Sequence, residues 1–145
     1  MKSPKGTQKV LDILGKIFQA EMAGIIRYLH YSFMIMGHNR IPIQKWFRDQ
    51  ASESVSHAVA IGEKITAMGG HPPMISSKIE ETNQHSVHKL LEESLVHERQ
   101  ALDLYLDLVK ITGEDIALDE LARDMLRQEV EHIEEVEKML KSSTG

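Results

Sequence analysis

An all-α bundle of four long helices, with one long crossover between helices two and three, is the fold class this sequence predicts. Three observations predict it. Apolar residues recur at three- and four-residue spacing over four long segments. Only four prolines and nine glycines interrupt the 145 residues, and aromatics make up 5%, too little punctuation for many short strands. Two of the links between segments are short and one is long. A chain that is 41% hydrophobic and 27% charged is expected to fold as a single domain, residues 1–145, with a substantial core. The lack of cysteine excludes disulfides, thiolate metal sites and a cysteine nucleophile. A formal charge of −5 disfavours nucleic acid as a partner. The opening MKSPKGTQKV has no apolar leader core, and no apolar run reaches about 18 residues, so a soluble, cytoplasmic protein without a membrane partner is expected.

Helix one is expected over about 7–37. Leu14, Phe18, Met22, Ile25, Tyr28, Leu29, Ile35 and Met36 form its stripe, Thr7 is its N-cap, and Gly37, Asn39 and Pro42 stop it. Helix two runs over about 42–68, with Pro42 at its first helical position, until Gly69-Gly70-His71-Pro72-Pro73 ends it. A polar stretch without period comes next, Met74 to Gln84. Helix three, about 85–112, carries Val87, Leu90, Leu91, Leu95, Leu102, Tyr105, Leu106 and Val109. Helix four, about 114–140, carries Leu118, Leu121, Met125, Ile133, Val136 and Leu140. The tail Lys141 to Gly145 has nothing to pack and is expected to fray. Short links make helices one and two, and three and four, antiparallel neighbours. The link of about 15 residues between two and three spans roughly 40 Å, one helix length, which gives the bundle its single crossover.

The stripes carry groups that a core does not tolerate alone. Glu21 sits among Leu14, Phe18, Ile25 and Tyr28, and Glu98 among Leu91, Leu95, Leu102 and Tyr105. Glu129 and His132 stand between Met125 and Val136, about 60° apart on the helix circumference. On helix two, His57 lies on a stripe with Ile43, Trp46, Phe47, Gln50, Ile61 and Ile65. An unpaired buried carboxylate costs several kcal/mol, against a whole-domain stability of roughly 5–15 kcal/mol. All five groups fall near mid-helix, so an antiparallel bundle brings them to one depth. Two divalent cations are the compensation that answers both facts, since four nearby carboxylates neutralise them. Oxygen and nitrogen donors without sulfur suit iron or manganese and also accept zinc. Singly, each residue has an ordinary reading: a glutamate that snorkels to solvent, a hydrogen-bonded core histidine, an E-x-x-H spacing arising by chance in an acidic helix. Glu131, Glu134, Glu135 and Glu137 form that helix's solvated face. The joint pattern, one anomaly per helix at matching depth, is what points to metal.

These residues resemble the ferritin-like di-iron pattern, in which two helices give a glutamate each and the other two give Glu-x-x-His. The likeness to the bacterioferritins covers about residues 7–140. Glu21-Met22-Ala23-Gly24-Ile25-Ile26-Arg27-Tyr28 is similar to the family's first-helix ligand segment, and Glu98 to its third-helix glutamate. Glu129-Val130-Glu131-His132-Ile133 is similar to the fourth-helix motif, and His57-Ala58 with Glu63-Lys64-Ile65 to the second-helix histidine and its downstream sequence. The resemblance implies a ferroxidase that binds two iron ions at Glu21, Glu53, His57, Glu98, Glu129 and His132 and uses dioxygen or hydrogen peroxide, for iron storage or detoxification. It implies Glu129 as a bridge, His57 and His132 on one iron each, and Glu21 and Glu98 as terminal ligands. Tyr28 resembles the family's redox-active tyrosine and reads equally well as a core aromatic with its hydroxyl satisfied.

Three departures limit what carries over. The residue three before His57 is Ser54, where the family has a bridging glutamate. Glu53, four before and about 40° away, reads either as a ligand or as a surface residue. The family's haem-ligating methionine falls at Val55, so haem is not expected, and Met34, Met36 and Met68 are expected to fill core gaps. The sequence stops 13 residues after His132, without the family's short fifth helix, so its full shell does not carry over. A homo-oligomer is expected, at least a two-fold dimer through helices one and two, with a cage left open. Tyr31, Phe33 and Trp46 are the expected interface aromatics. His30, His38, His71, His85, His88 and His97 are expected at the surface or an interface. The rival readings are a DNA-protecting miniferritin-like shell, a di-iron oxygenase acting on an organic substrate through an open pocket, and a metal-free bundle. For the first, Lys2, Lys5 and Lys9 give only a small basic tail.

Overall fold

The computed structural model describes residues 5–141 as four helices, α1 (Lys5–Met34), α2 (Arg40–Ala67), α3 (Val87–Ile111) and α4 (Ile116–Leu140). Residues 142–145, where fraying was expected, and Lys2 of the basic tail lie outside the described residues.

The helix ends obey local chemistry. Thr7 is not a cap, because α1 is already helical at Lys5. Val10 stands where a capping box needs Glu or Gln, so nothing fixes a start at Thr7. Pro42 is the third residue of α2, not the first. Its missing N–H costs nothing there, because the first four N–H groups have no intrahelical partner. Gly69, at φ +81°, closes α2: Gly69 N–H donates to Thr66 O at 3.0 Å and Gly70 N–H to Ile65 O at 2.9 Å, the paired bonds of a Schellman end. Ser86 and Asp115 cap α3 and α4, accepting from Lys89 N–H and Leu118 N–H.

Residue pairs fix the directions. Along α1 and α2, Phe18 meets Gly62, Gly24 meets Ser54, and Ser32 meets Arg48, so the numbers rise on one helix as they fall on the other. The same holds for Glu98 with His132 and Thr112 with Asp119 (α3/α4), for Glu21 with Tyr105 and Tyr31 with Glu93 (α1/α3), and for Glu53 with His132 and His57 with Gln128 (α2/α4). Every adjacent pair is antiparallel, so α2 and α3 run the same way. Their connection must therefore travel the bundle's length. Residues 68–86 do so along α1, with Ser77 N–H donating to Gln19 O at 3.0 Å and Arg27 to Lys78 O at 3.2 Å. Further on, the Thr82 hydroxyl donates to Glu93 on α3.

The core divides in two. One apolar cluster holds Val10, Leu14, Ile17, Ile61, Ile65, Tyr105, Leu108, Leu118, Ala122 and Met125. The other holds Tyr28, Tyr31, Ile35, Phe47, Ala51, Leu90, Leu91, Leu95, Ile133 and Val136. Between them lies a polar layer. The α1 stripe runs through Ile17 and Tyr31, leaving Leu29 exposed at 40%, and Met36, beyond the end of the helix, is exposed at 71%. Tyr31 is thus a core residue and not an interface aromatic, and Met36 fills no gap. Phe33 is exposed, and Trp46 is half-buried against Phe47. No helix among the described residues is long and apolar enough to cross a membrane.

Candidate metal centre

Each helix places its anomalous residue in the polar layer. Glu21, His57, Glu98 and Glu129 are buried, and His132 is partly so. Ligand atoms of Glu21, His57 and Glu129 lie within 4.8 Å of one another, and so do those of Glu98, Glu129 and His132. Glu129 belongs to both triads. Five of the six expected metal residues are thereby brought together. Glu53 joins neither triad.

Glu53 stands behind the imidazoles. His132 Nε2–H donates to Glu53 Oε2 at 2.7 Å, and His57 Nε2 lies 3.7 Å from Glu53 Oε1 while donating to Gln128 Oε1 at 2.8 Å. Both rings are held by Nε2 and turn Nδ1 toward the acids: His57 Nδ1 is 3.4 Å from Glu21 Oε1, and His132 Nδ1 is 4.0 Å from Glu98 Oε2. Fixing one ring nitrogen as a donor frees the other to ligate, which is how outer partners orient metal-binding histidines.

Without a cation the layer is electrostatically strained. Burial pushes Glu98 up to about 8, with the Glu21 charge adding and Arg27 opposing. Burial pushes Glu129 up to about 8 as well, with Glu21 adding and His57 opposing. For His57, burial works downward, but the hydrogen bond and charge of Glu21, aided by Gln128 and Glu53, raise it to about 9. The layer stores protons where its donor set, carboxylate oxygen and imidazole nitrogen without sulfur, suits first-row divalent ions.

Two residues of this network are absent from the sequence expectations as site residues. The fully buried Tyr105 donates its hydroxyl to Glu21 Oε1 at 2.6 Å, and burial and Glu21 hold its phenol well above the ordinary range. The signal was available, since a stripe tyrosine seven residues after Glu98 must place its hydroxyl somewhere. Gln128, four before His132, could be found in the same way. Tyr28 is buried beside Tyr31 and Phe47 and borders a cavity. That cavity, about 550 Å³, reaches the layer from beneath the crossover, past Arg27, Ser54 and Ser94. His97, expected at the surface or an interface, lines it, and its buried Nδ1 has no hydrogen-bond partner among the described residues.

The architecture and the layer together define a class: four antiparallel helices with one crossover and a carboxylate–histidine centre at the waist. The chain belongs to the Ferritin family, whose ferritin-like domain matches residues 11–143. No curated protein sequence matches it. Among solved structures, it is similar to a ferritin-like, diiron-carboxylate protein from Bacillus anthracis, 23% identical at a TM-score of 0.87 over 96% of this chain and 100% of that one. A dodecameric thioferritin from Bacteroides fragilis, a bacterioferritin-related protein, is 22% identical at 0.85, covering 92% and 85%. Rhodobacter capsulatus bacterioferritin is 22% identical at 0.82, covering 97% and 86%. At these identities the likeness is one of fold.

Proposed function

We propose that this chain binds ferrous iron as its substrate in the buried layer and oxidises it, for iron storage or detoxification. The observation that carries the reading is the pair of triads sharing Glu129. On this reading Glu21 and His57 serve one iron, Glu98 and His132 the other, and Glu129 both. Uptake of the ions displaces the protons that burial holds on Glu98 and Glu129 and that the Glu21 carboxylate holds on His57. Each ferrous ion gives one electron, and two held side by side supply the pair that dioxygen or hydrogen peroxide takes up. Tyr105 steers Glu21, Gln128 and Glu53 steer the imidazoles, and Glu53 adds the fourth negative charge beside the ions. Tyr28, bordering the cavity, is the candidate redox-active side chain. The diiron-carboxylate and bacterioferritin names of the structural relatives support the reading. The cavity keeps oxidation of an organic substrate as the second reading.

A homo-oligomer belongs to the proposal. Ile26, Leu29 and Phe33 on α1 and Val55 and Val59 on α2 are exposed apolar residues of the kind a two-fold dimer covers. The test of the activity is rapid mixing of anaerobic, iron-loaded protein with dioxygen or peroxide, following ferric absorbance. Wild type should show a fast phase saturating at two irons per chain. Glu129→Ala and His132→Ala should lose it while keeping their helical circular dichroism. Unchanged kinetics in both variants would sink the reading.

A further inference from the structure

The polar layer is open on one side. The cavity beneath the crossover ends on Glu21, His57, Glu98, Glu129 and His132, with Ser54 in its wall. Each triad offers three protein donors, and Glu129 is counted in both. First-row divalent ions with oxygen and nitrogen donors take up to about six. Coordination by the triads alone is therefore incomplete, and the cavity is the space from which a further ligand can come.

Ser54 marks what is missing. It lies one helical turn before His57, on the same face of α2, where a side chain long enough would reach the layer. Serine stops short and leaves room for a carboxyl-sized group. Its hydroxyl is also uncommitted. The other buried serines, Ser32 and Ser94, turn theirs back to Leu29 O and Leu91 O. Ser54, 8% exposed, makes no such bond among the described residues. The approach carries both signs of charge: Arg27 is half-buried in the cavity wall with Lys16 and Lys78 further out, against the carboxylates of Glu80 and Glu93. The fourth carboxylate of the layer, Glu53, is already engaged with the histidine Nε2 atoms.

We propose that a small oxyanion presenting two oxygens, a carboxylate or a phosphate, binds at the inner end of this cavity beside Ser54 and completes the coordination of the metal pair. The inference rests on the metal-pair reading above. The anion takes the space that a longer acidic side chain at position 54 would fill, and the Ser54 hydroxyl donates to it. The site thus exchanges a fixed ligand for one drawn from solution, and occupancy of the pair responds to the concentration of that anion.

The experiment loads the full chain with cobalt(II), whose visible spectrum reports its coordination. Sodium acetate and inorganic phosphate are titrated separately, with sodium chloride as the ionic-strength control. Wild type should take up two cobalt ions and then show a saturable spectral change with one anion per pair. Response to acetate alone or phosphate alone identifies the source and supports the site. In Ser54→Ala the anion should bind about fivefold more weakly, the loss of one hydrogen bond. Ser54→Glu supplies a tethered carboxylate and should abolish the response. Circular dichroism checks both folds, and Ser54→Ala carries the test alone if the larger substitution does not fold. Two bound cobalt ions with no anion response, or an anion affinity unchanged by substitution at position 54, overturns this inference alone. Failure to take up cobalt overturns the metal reading and this one with it.

Discussion

Tyr105 illustrates how a single hydroxyl serves both packing and chemistry. Its ring belongs to one apolar cluster, and its hydroxyl is a donor to a buried acid in the polar layer. Tyr105→Phe keeps the ring and leaves Glu21 Oε1 without that donor, a loss worth about 1–3 kcal/mol. Urea denaturation of the metal-free protein should register this destabilisation. Metal titration should show weakening at the Glu21–His57 position before the Glu98–His132 position, and equal weakening at both would remove the role assigned to Tyr105. The acids of the layer were legible in the sequence because each interrupts an apolar stripe. Tyr105 was legible as packing, since tyrosine suits a stripe without breaking it, and only its hydroxyl's need of a partner pointed to the layer. Ser54 was legible only as a mismatch, and its hydroxyl's freedom is a matter of side-chain direction that spacing does not carry. Glu53 shows the reverse: spacing put it on the right face, and only the three-dimensional network turns it to the back of the imidazoles.

At the level of elements, the end of α2 sets how the first hairpin closes. Gly69 adopts φ +81°, open to glycine and costly for other residues by about 1–2 kcal/mol. Gly70 has a different constraint: a Cβ there would lie 2.8 Å from Leu11 Cδ2 and 3.2 Å from Ile65 O. Gly70→Ala must displace the Leu11 side chain and crowd Ile65, so it should cost about 1–3 kcal/mol. Gly69→Ala should cost about 1–2 kcal/mol through the backbone alone. Both are readable by urea denaturation, and neither should alter metal stoichiometry, since the turn lies beyond the polar layer. A neutral Gly70→Ala would mean that Leu11 has room to move. The double glycine was legible as a stop because its chemistry is local. The helix starts were less so. Thr7 is a competent cap residue by type, yet a cap depends on whether the preceding residues leave the helix, and they do not. Likewise, exposure on α1 is set by the neighbours that α2 and α3 provide, which is why Tyr31 went inward and Leu29 outward.

The whole molecule is two apolar clusters joined across a layer of acids and imidazoles, and its stability should track the charge of that layer. In the folded, metal-free chain Glu98 and Glu129 titrate near 8, against 4.5 for a free glutamate, and His57 near 9 against 6.5. All three are raised, so the folded state binds more protons than the unfolded state between the two values of each group. Stability from these groups is full below the unfolded values and is lost as pH rises through the folded ones. The metal-free protein should therefore lose several degrees of Tm between about pH 5 and pH 9. Glu98→Gln removes one buried ionisation and should flatten this decline, giving a metal-free protein more stable than wild type at pH 9. Divalent ions reverse the trend, because they pair with the charged forms that burial penalises. The gap in Tm between metal-loaded and metal-free protein should widen as pH rises, and calorimetry in buffers of different ionisation enthalpy should record proton release on binding. A metal-free Tm that rises over this range would mean that the acids sit ionised in the folded state, paired with the imidazoles and Arg27. The layer would then be a polar contact in a bundle with no demand for cations.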